Sequence, residues 1–187
     1  MSAAYRFHGH AIVSDNDMIA DAEGRMPQAL TNAADWARFQ RELDRAGAII
    51  LGHRGHVLHA NTHGRNRIVV STSAGGIEKR DDAWWWNPAG ATLDEALAAA
   101  FPRGGIVAVP GGQGVFDLFL DLGYDEFHLA RARGVKIPGG TPVFSECASG
   151  RSAEEVLARH GLTPTPSDVL DPSAGVAVSI WRRKRLS

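Results

Sequence analysis

The chain has 187 residues, of which 44% are hydrophobic and 22% charged, and these values predict one globular domain over residues 1–187. Lys and Arg total 20 and Asp and Glu 21, so the net charge of -1 gives no electrostatic case for nucleic acid or an anionic membrane, and the single cysteine excludes an internal disulfide or a multi-cysteine zinc site. No apolar run approaches the roughly 20 residues of a membrane span, so we expect a cytoplasmic protein with no nucleic-acid or membrane partner.

The first half of the chain alternates short apolar runs with helical patterns. Residues 11–13 predict a strand, and Asn32 is the predicted N-cap of a helix over residues 33–45. The continuous apolar run at residues 48–51 then enters a glycine-containing turn, which indicates a second strand followed by a helix. Strands without alternation are typical of a parallel sheet covered by helices on both faces.

The pattern continues through the middle of the chain. Residues 67–71 and 83–86 predict strands, and Thr92 with Glu95 forms a capping-box pattern for a helix to residue 100. The apolar run 106–109 breaks at Gly111 and resumes with apolar residues at helical spacing. A strand that enters a helix through glycines exposes backbone N–H groups, and such a turn can hold a phosphate.

The last third predicts a strand over residues 125–132, a helix that begins after Ser152, and a closing hairpin of residues 162–170 with 176–181. Strands that alternate with helices predict the α/β class. We therefore expect a three-layer α/β sandwich with a mostly parallel central sheet and an antiparallel C-terminal edge.

An ordered set of short motifs across nearly the whole chain resembles the dihydrofolate reductase family. No motif is specific by itself, and the set consists of Met26-Pro27, Asp35 four residues before Phe39, Gly64-Arg65 before a strand, Gly111-Gly112 followed by Phe116, and Thr141 in a Gly-Thr-Pro-Val-Phe run. The resemblance implies a dihydrofolate reductase-like fold and a cis Gly111-Gly112 bond with Asp35 across the pocket.

The resemblance also implies NADPH-dependent reduction of 7,8-dihydrofolate to tetrahydrofolate, with hydride transfer to C6 of the pterin. Asp35 would orient the pterin and favour protonation at N5, and Thr141 would hydrogen-bond that carboxylate. Arg65 would bind the carboxylate tail of the substrate. The implied substrate-binding residues are Ala11, Trp36, Phe39, Arg65, Pro110 and Phe116.

The implied NADPH site lies in the turns at the strand ends. Its residues are Ile12, Ile19, Ala20, Gly52, His53, Arg54, Gly55, Ser71, Thr72, Gly111, Gly112, Gln113, Gly114 and Val115. The glycines would let the backbone approach the cofactor closely, since they carry no Cβ atom.

Two other functions stay open at this point. The riboflavin-pathway reductases share the fold and NADPH but reduce a ribosylamino-pyrimidine, and Asp35 with Arg65 favours the folate substrate over that one. A non-catalytic nucleotide-binding protein is the other alternative, because Gln28, His53 and Gly55 depart from the family pattern.

We expect no metal site and either a monomer or a homodimer. The histidine cluster His53, His56, His59 and His63 has no nearby cysteine or carboxylate to complete a metal site.

Overall fold

The computed structural model describes residues 4–183, and its central feature is a sheet of ten strands. In the first half of the chain the elements are β1 (Tyr5–Ser14), β2 (Met18–Ala20), α1 (Ala33–Arg45), β3 (Ala48–Gly52), α2 (His53–Leu58), β4 (Arg67–Val70), β5 (Ile77–Arg80), β6 (Ala83–Trp86) and α3 (Leu93–Ala100). In the second half they are β7 (Gly105–Gly111), α4 (Gln113–Leu122), β8 (Glu126–Ala132), β9 (Thr141–Pro142), α5 (Ala153–Arg159), β10 (Leu162–Pro164), β11 (Asp168–Asp171) and β12 (Val176–Arg183). Short 3-10 helices lie at Gln28–Leu30 and Ser145–Ser149.

The order of strands in the sheet is β10-β12-β8-β1-β7-β3-β4-β6-β5, with β11 also paired to β12. The six central strands from β8 to β6 are parallel to one another. The C-terminal strands β10, β11 and β12 and the opposite edge strand β5 pair antiparallel. The predicted mostly parallel sheet with an antiparallel C-terminal edge is confirmed.

Helices cover both faces of the sheet. Val107 of β7 packs in one apolar cluster with Leu97 of α3 and Phe119 of α4. The next residue, Ala108, belongs to a different cluster with Leu43 of α1. Because successive side chains of a strand point to opposite faces, α3 and α4 lie on one face and α1 on the other, which gives the predicted three layers.

Side-chain caps fix the starts of three helices where the sequence predicts them. Asn32 accepts hydrogen bonds from two N–H groups in the first turn of α1, and Thr92 and Ser152 form capping boxes at the starts of α3 and α5. Such caps satisfy N–H groups that have no partner within the helix.

The structure differs from the sequence prediction in three places. β1 begins at Tyr5 rather than residue 11, β5 has no counterpart in the prediction, and two strands, β10 and β11, stand where one hairpin arm over residues 162–170 is expected. β1 carries the buried residues His8 and His10 on one face. Its first half therefore lacks the run of apolar residues from which a buried strand is predicted. Within residues 4–183, no helix is long and apolar enough to cross a membrane.

Candidate active site

The carboxyl ends of β1, β7 and β3 lie side by side, and we call this the carboxyl edge. β3 ends at Gly52, β7 at Gly111 and β1 at Ser14, and these strands are parallel to their neighbours. A helix that leads into a parallel strand runs back along the sheet, so the first turn of α1 lies at this same edge. Asp35 is therefore at the edge where open α/β sheets bind ligands.

The Gly111-Gly112 peptide bond is cis, as the resemblance to the dihydrofolate reductase family implies. Gly111 has a φ of 100°, and a Cβ atom there would lie 2.6 Å from Cε2 of Phe116. Gly52 adjoins this turn, since a Cβ atom on it would lie 3.8 Å from the backbone nitrogen of Gly112. The two turns thus present backbone atoms rather than side chains.

Phe116 does not face this edge of the sheet. It is 1% exposed, and its ring packs against Phe127 and Phe144 in the core. The expectation that Phe116 contacts the substrate is corrected, because the ring supports Gly111 from behind.

The two helices that begin at these turns have no side-chain caps. α4 follows Gly112 and α2 follows Gly52, and neither glycine has a side chain that accepts a hydrogen bond. The first N–H groups of a helix lack partners within the helix. α1, α3 and α5 satisfy such groups with side chains, whereas the first N–H groups of α4 have no side-chain cap and are available to an anion.

Asp35 is half-buried and accepts no hydrogen bond from another group within residues 4–183. Burial raises the pKa of its carboxyl group, and the charge of Arg38, one turn further along α1, opposes that rise. Trp36 beside it is 56% exposed, and Phe39 packs between Trp36 and His10. The first two turns of α1 therefore carry one carboxylate and two aromatic rings.

Thr141 does not bind the Asp35 carboxylate. Its hydroxyl donates to the backbone oxygen of Asp21 at 3.1 Å. This corrects the expected hydrogen bond, and the reason is that β9 pairs with β2, which sets Thr141 opposite Ala20. Gln113 reaches the same strand, because its Nε2 donates to the backbone oxygen of Pro142 at 3.2 Å.

Arg65 is already paired within the protein. Its guanidinium donates to Oδ1 of Asp44 at 2.6 Å and to Oε1 of Gln40 at 2.8 Å, both on α1. The Arg65 guanidinium, which the resemblance assigns to the carboxylate tail of a substrate, thus binds a carboxylate of the chain itself.

The other predicted cofactor residues lie in loops around the carboxyl edge. His53 and Arg54 are exposed at the start of α2, and the Arg54 guanidinium lies next to Gly24, where a Cβ atom would come within 2.6 Å of Nη1. Ser71 hydrogen-bonds Ser73 directly after β4, and its neighbour Thr72 is exposed. These positions leave the cofactor assignments as predictions.

The predicted residues of β1 and β2 are largely covered. Ile12 and Ala20 are buried, while Ala11, Ile19 and Pro110 are half-buried. Ile12 packs on the face of the sheet that α1 covers, in a cluster with Leu30. The predicted histidine cluster lies elsewhere, since His53 and His56 both pack edge-on against Trp85.

Sequence reasoning missed a layer of three buried histidines beneath α1. His8 and His10 come from β1 and His128 from β8, with exposed fractions of 8%, 6% and 4%. The signal available in the sequence is the spacing of two residues between His8 and His10, which places both on one face of a strand. We call these three side chains the histidine layer.

No family model matches this chain, and no curated protein matches it significantly in sequence. Two solved structures share its architecture over nearly the whole length. A riboflavin biosynthesis protein from Shewanella sp. PV-4 has a TM-score of 0.67 at 17% identity and covers 96% of this chain and 99% of its own. Dihydrofolate reductase from Enterococcus faecalis, complexed with NADP(H) and RAB-propyl, has a TM-score of 0.67 at 14% identity, with 99% and 100% covered. The chain has the dihydrofolate reductase-like fold.

Proposed function

We propose that the protein is an NADPH-dependent reductase of dihydrofolate or a related pterin. The observation that carries the proposal is Asp35, a half-buried carboxylate without a hydrogen-bond partner in the described chain, at the ligand-binding edge of a dihydrofolate reductase-like fold. A carboxylate that is partly removed from water and left unpaired is costly, and a ligand that donates hydrogen bonds to it would offset that cost.

The chemistry of a pterin matches this carboxylate. N3 and the 2-amino group of the pterin ring present two parallel donors, which suit the two oxygens of Asp35. Because burial raises the pKa of Asp35, the group keeps its proton to a higher pH than an ordinary Asp carboxyl. It would therefore favour protonation at N5, directly or through water. Trp36 and Phe39 would pack against the ring and exclude water from it.

The residues at the carboxyl edge fit NADPH. The uncapped start of α4 offers N–H groups to the pyrophosphate, and Gly112, where a Cβ atom would meet no heavy atom within 4 Å, leaves room for the backbone to approach it. His53 and Arg54 supply exposed side chains for further phosphate contacts. Bound NADPH supplies the hydride, and the protein positions the two rings.

The test follows NADPH oxidation spectrophotometrically with dihydrofolate as substrate. We expect turnover by the unaltered protein and a loss of at least about 100-fold in the Asp35→Asn variant, the order of a general acid-base contribution. NADPH binding, measured by fluorescence, should be unchanged in that variant. Its melting temperature should be equal or higher, because the substitution removes a partly dehydrated charge. Full activity of Asp35→Asn would refute the assignment.

A second candidate is the reduction of a ribosylamino-pyrimidine. The specific observation in its favour is Arg65, whose guanidinium is paired with Asp44 rather than free for a glutamate tail. The same assay with the pyrimidine as substrate separates the two activities. Tight NADPH binding with turnover of neither compound would identify a nucleotide-binding protein instead.

A further inference from the structure

The histidine layer sits where a helix and a sheet usually bury apolar side chains. His8 lies opposite Glu126 in the pairing of β1 with β8, and His10 lies opposite His128. The ring of His128 lies 4.4 Å from that of His10 and 5.9 Å from that of His8, measured between centroids. A cavity of about 210 Å³ adjoins His8, Glu126 and His128, so the layer is polar, buried and close to solvent at one end.

A chain of hydrogen bonds runs through this layer to α1. Nη2 of Arg38 lies 2.8 Å from Nδ1 of His128. Because a guanidinium only donates, Nδ1 accepts and the neutral ring carries its proton on Nε2. That nitrogen lies 3.2 Å from Oε2 of Glu126, and Oε1 of the same carboxylate accepts from Nε of Arg182 at 3.0 Å. The contacts at both ring nitrogens thus select one tautomer of His128.

The same side chains also resemble a metal-binding group. One ligand atom from each of His8, Glu126 and His128 lies within 4.8 Å of the others. A metal ion on Nε2 of His128 would require the proton to sit on Nδ1, where it would oppose the donor of Arg38. The observed contact with Arg38 therefore favours a hydrogen-bond chain over a metal site.

Arg38 is the point at which this chain reaches the candidate active site. It lies three residues after Asp35 on α1, which places the two side chains on neighbouring turns of one helix face. Within residues 4–183, Arg38 is the charged side chain whose field acts on the Asp35 carboxylate. The other titratable groups around Arg38 and His128 are Glu42 and Arg45 on α1, Arg6, His8 and His10 on β1, Glu126 on β8 and Arg182 on β12.

We propose that Glu126 and His128 are positioning residues that fix the Arg38 guanidinium about one helical turn from Asp35, so that its charge stabilises the ionised carboxylate. The catalytic meaning of this device rests on the proposed function, in which Asp35 handles a proton. Burial and Arg38 act on Asp35 in opposite directions, and the fixed position of Arg38 limits how strongly the carboxylate retains its proton. His128 sets the pH dependence of the active site without touching the substrate.

The experiment is a ¹³C NMR titration of the Asp35 carboxyl group in the full chain without substrate. We expect Arg38→Met to raise the proton affinity of Asp35 about tenfold, the lower range for removal of a nearby opposite charge. His128→Phe, which removes the acceptor but keeps a ring, should raise it by a smaller factor. Glu126→Gln should stay close to the unaltered protein, because the amide oxygen still accepts from Nε2 of His128. Arg41→Met, an exposed arginine of the same helix, is the matched control and should change nothing.

A second measurement needs no substitution. ¹⁵N NMR of the unaltered protein should show His128 as the neutral Nε2–H tautomer between pH 6 and 8, and the Nδ1–H tautomer would overturn the proposal. An unchanged Asp35 titration in Arg38→Met would overturn it as well, as would His128→Phe behaving like Arg41→Met. Binding of Zn²⁺ at His8 and His128 would establish the metal site in its place. If the titrations shift as expected but dihydrofolate is not reduced, the positioning stands and the proposed function fails.

Discussion

Arg65 is engaged in an ion pair within the protein. Its guanidinium is 14% exposed and paired with Asp44, whose side chain is 65% exposed. An ion pair of this kind contributes little to stability, because its acidic partner is open to water. The ion pair matters for substrate binding, because a substrate carboxylate would compete with Asp44 for the Arg65 guanidinium.

Replacing Asp44 with Asn should therefore change substrate recognition more than stability. We expect KM for dihydrofolate to fall by up to about fivefold, the range of an exposed ion pair. KM for a dihydropterin without the glutamate tail should not change. Steady-state kinetics with the two substrates measures the difference.

Asp121→Asn provides the control for net charge, because Asp121 is exposed on α4, which packs on the opposite face of the sheet. An unchanged KM for dihydrofolate in Asp44→Asn would show that Arg65 does not bind the carboxylate tail of the substrate. That result would favour the pyrimidine substrate.

The turn between β7 and α4 depends on glycine for two different reasons. At Gly111 a side chain would meet the core, since φ is positive and the Phe116 ring lies behind it. At Gly114, in the first turn of α4, a Cβ atom would meet no heavy atom within 4 Å. Gly111 is thus required by packing, whereas Gly114 leaves open space at the proposed cofactor site.

These two glycines predict opposite outcomes for alanine substitution. Gly111→Ala should lower the free energy of unfolding by about 1–3 kcal/mol or more, because the added methyl group displaces a buried ring. Gly114→Ala should leave stability unchanged or raise it by up to about 1 kcal/mol, since alanine favours helix. Urea denaturation measures both effects.

Gly114→Ala also tests where the cofactor binds. Its methyl group would project where the backbone approaches the pyrophosphate, so we expect weaker NADPH binding by a fully folded protein. Unchanged NADPH affinity in this variant would count against the start of α4 as the cofactor site.

The elements that the sequence predicts well are those whose signal is local. The caps of α1, α3 and α5 and the apolar runs of β3 and β7 follow from neighbouring residues alone. The first half of β1 was missed because His8 and His10 stand where a buried strand normally has apolar side chains. Their environment comes from α1 and β8, which lie far away in sequence.

The same distinction applies to the candidate site. Asp35 and the Gly111-Gly112 turn follow from short motifs and lie at one edge of the sheet. The partners of Thr141 and Arg65 are Asp21 and Asp44, which are 120 and 21 residues away. Which groups those side chains meet depends on tertiary packing, which a motif does not encode.

At the scale of the whole molecule, the face of the sheet under α1 holds the histidine layer and two separate apolar clusters. One contains Leu30 and Ile12, and the other contains Leu43 and Ala108. Burial lowers the pKa of His10 well below its ordinary value and that of His128 to about 3. The folded protein therefore keeps these rings neutral at pH values at which the unfolded chain would protonate them.

This difference makes the fold sensitive to acid. Below the ordinary histidine pKa of 6.5, the unfolded chain binds protons that the folded one excludes. The free energy of unfolding is therefore not reduced by these histidines above that value, and it falls as the pH drops toward their pKa in the folded protein. Each excluded proton costs about 1.4 kcal/mol per pH unit once the unfolded histidine is charged.

We therefore expect His10→Leu to reduce the loss of stability between pH 7.5 and pH 5.5 by about 1.5 kcal/mol, as measured by urea denaturation at both values. Phe39→Leu is the control, because Phe39 packs on His10 and carries no proton. That variant should lose packing energy at both pH values and keep the slope of the unaltered protein. Equal slopes in all three proteins would mean that His10 is protonated within the fold, and the polar layer would then tolerate charge beneath the helix that carries Asp35.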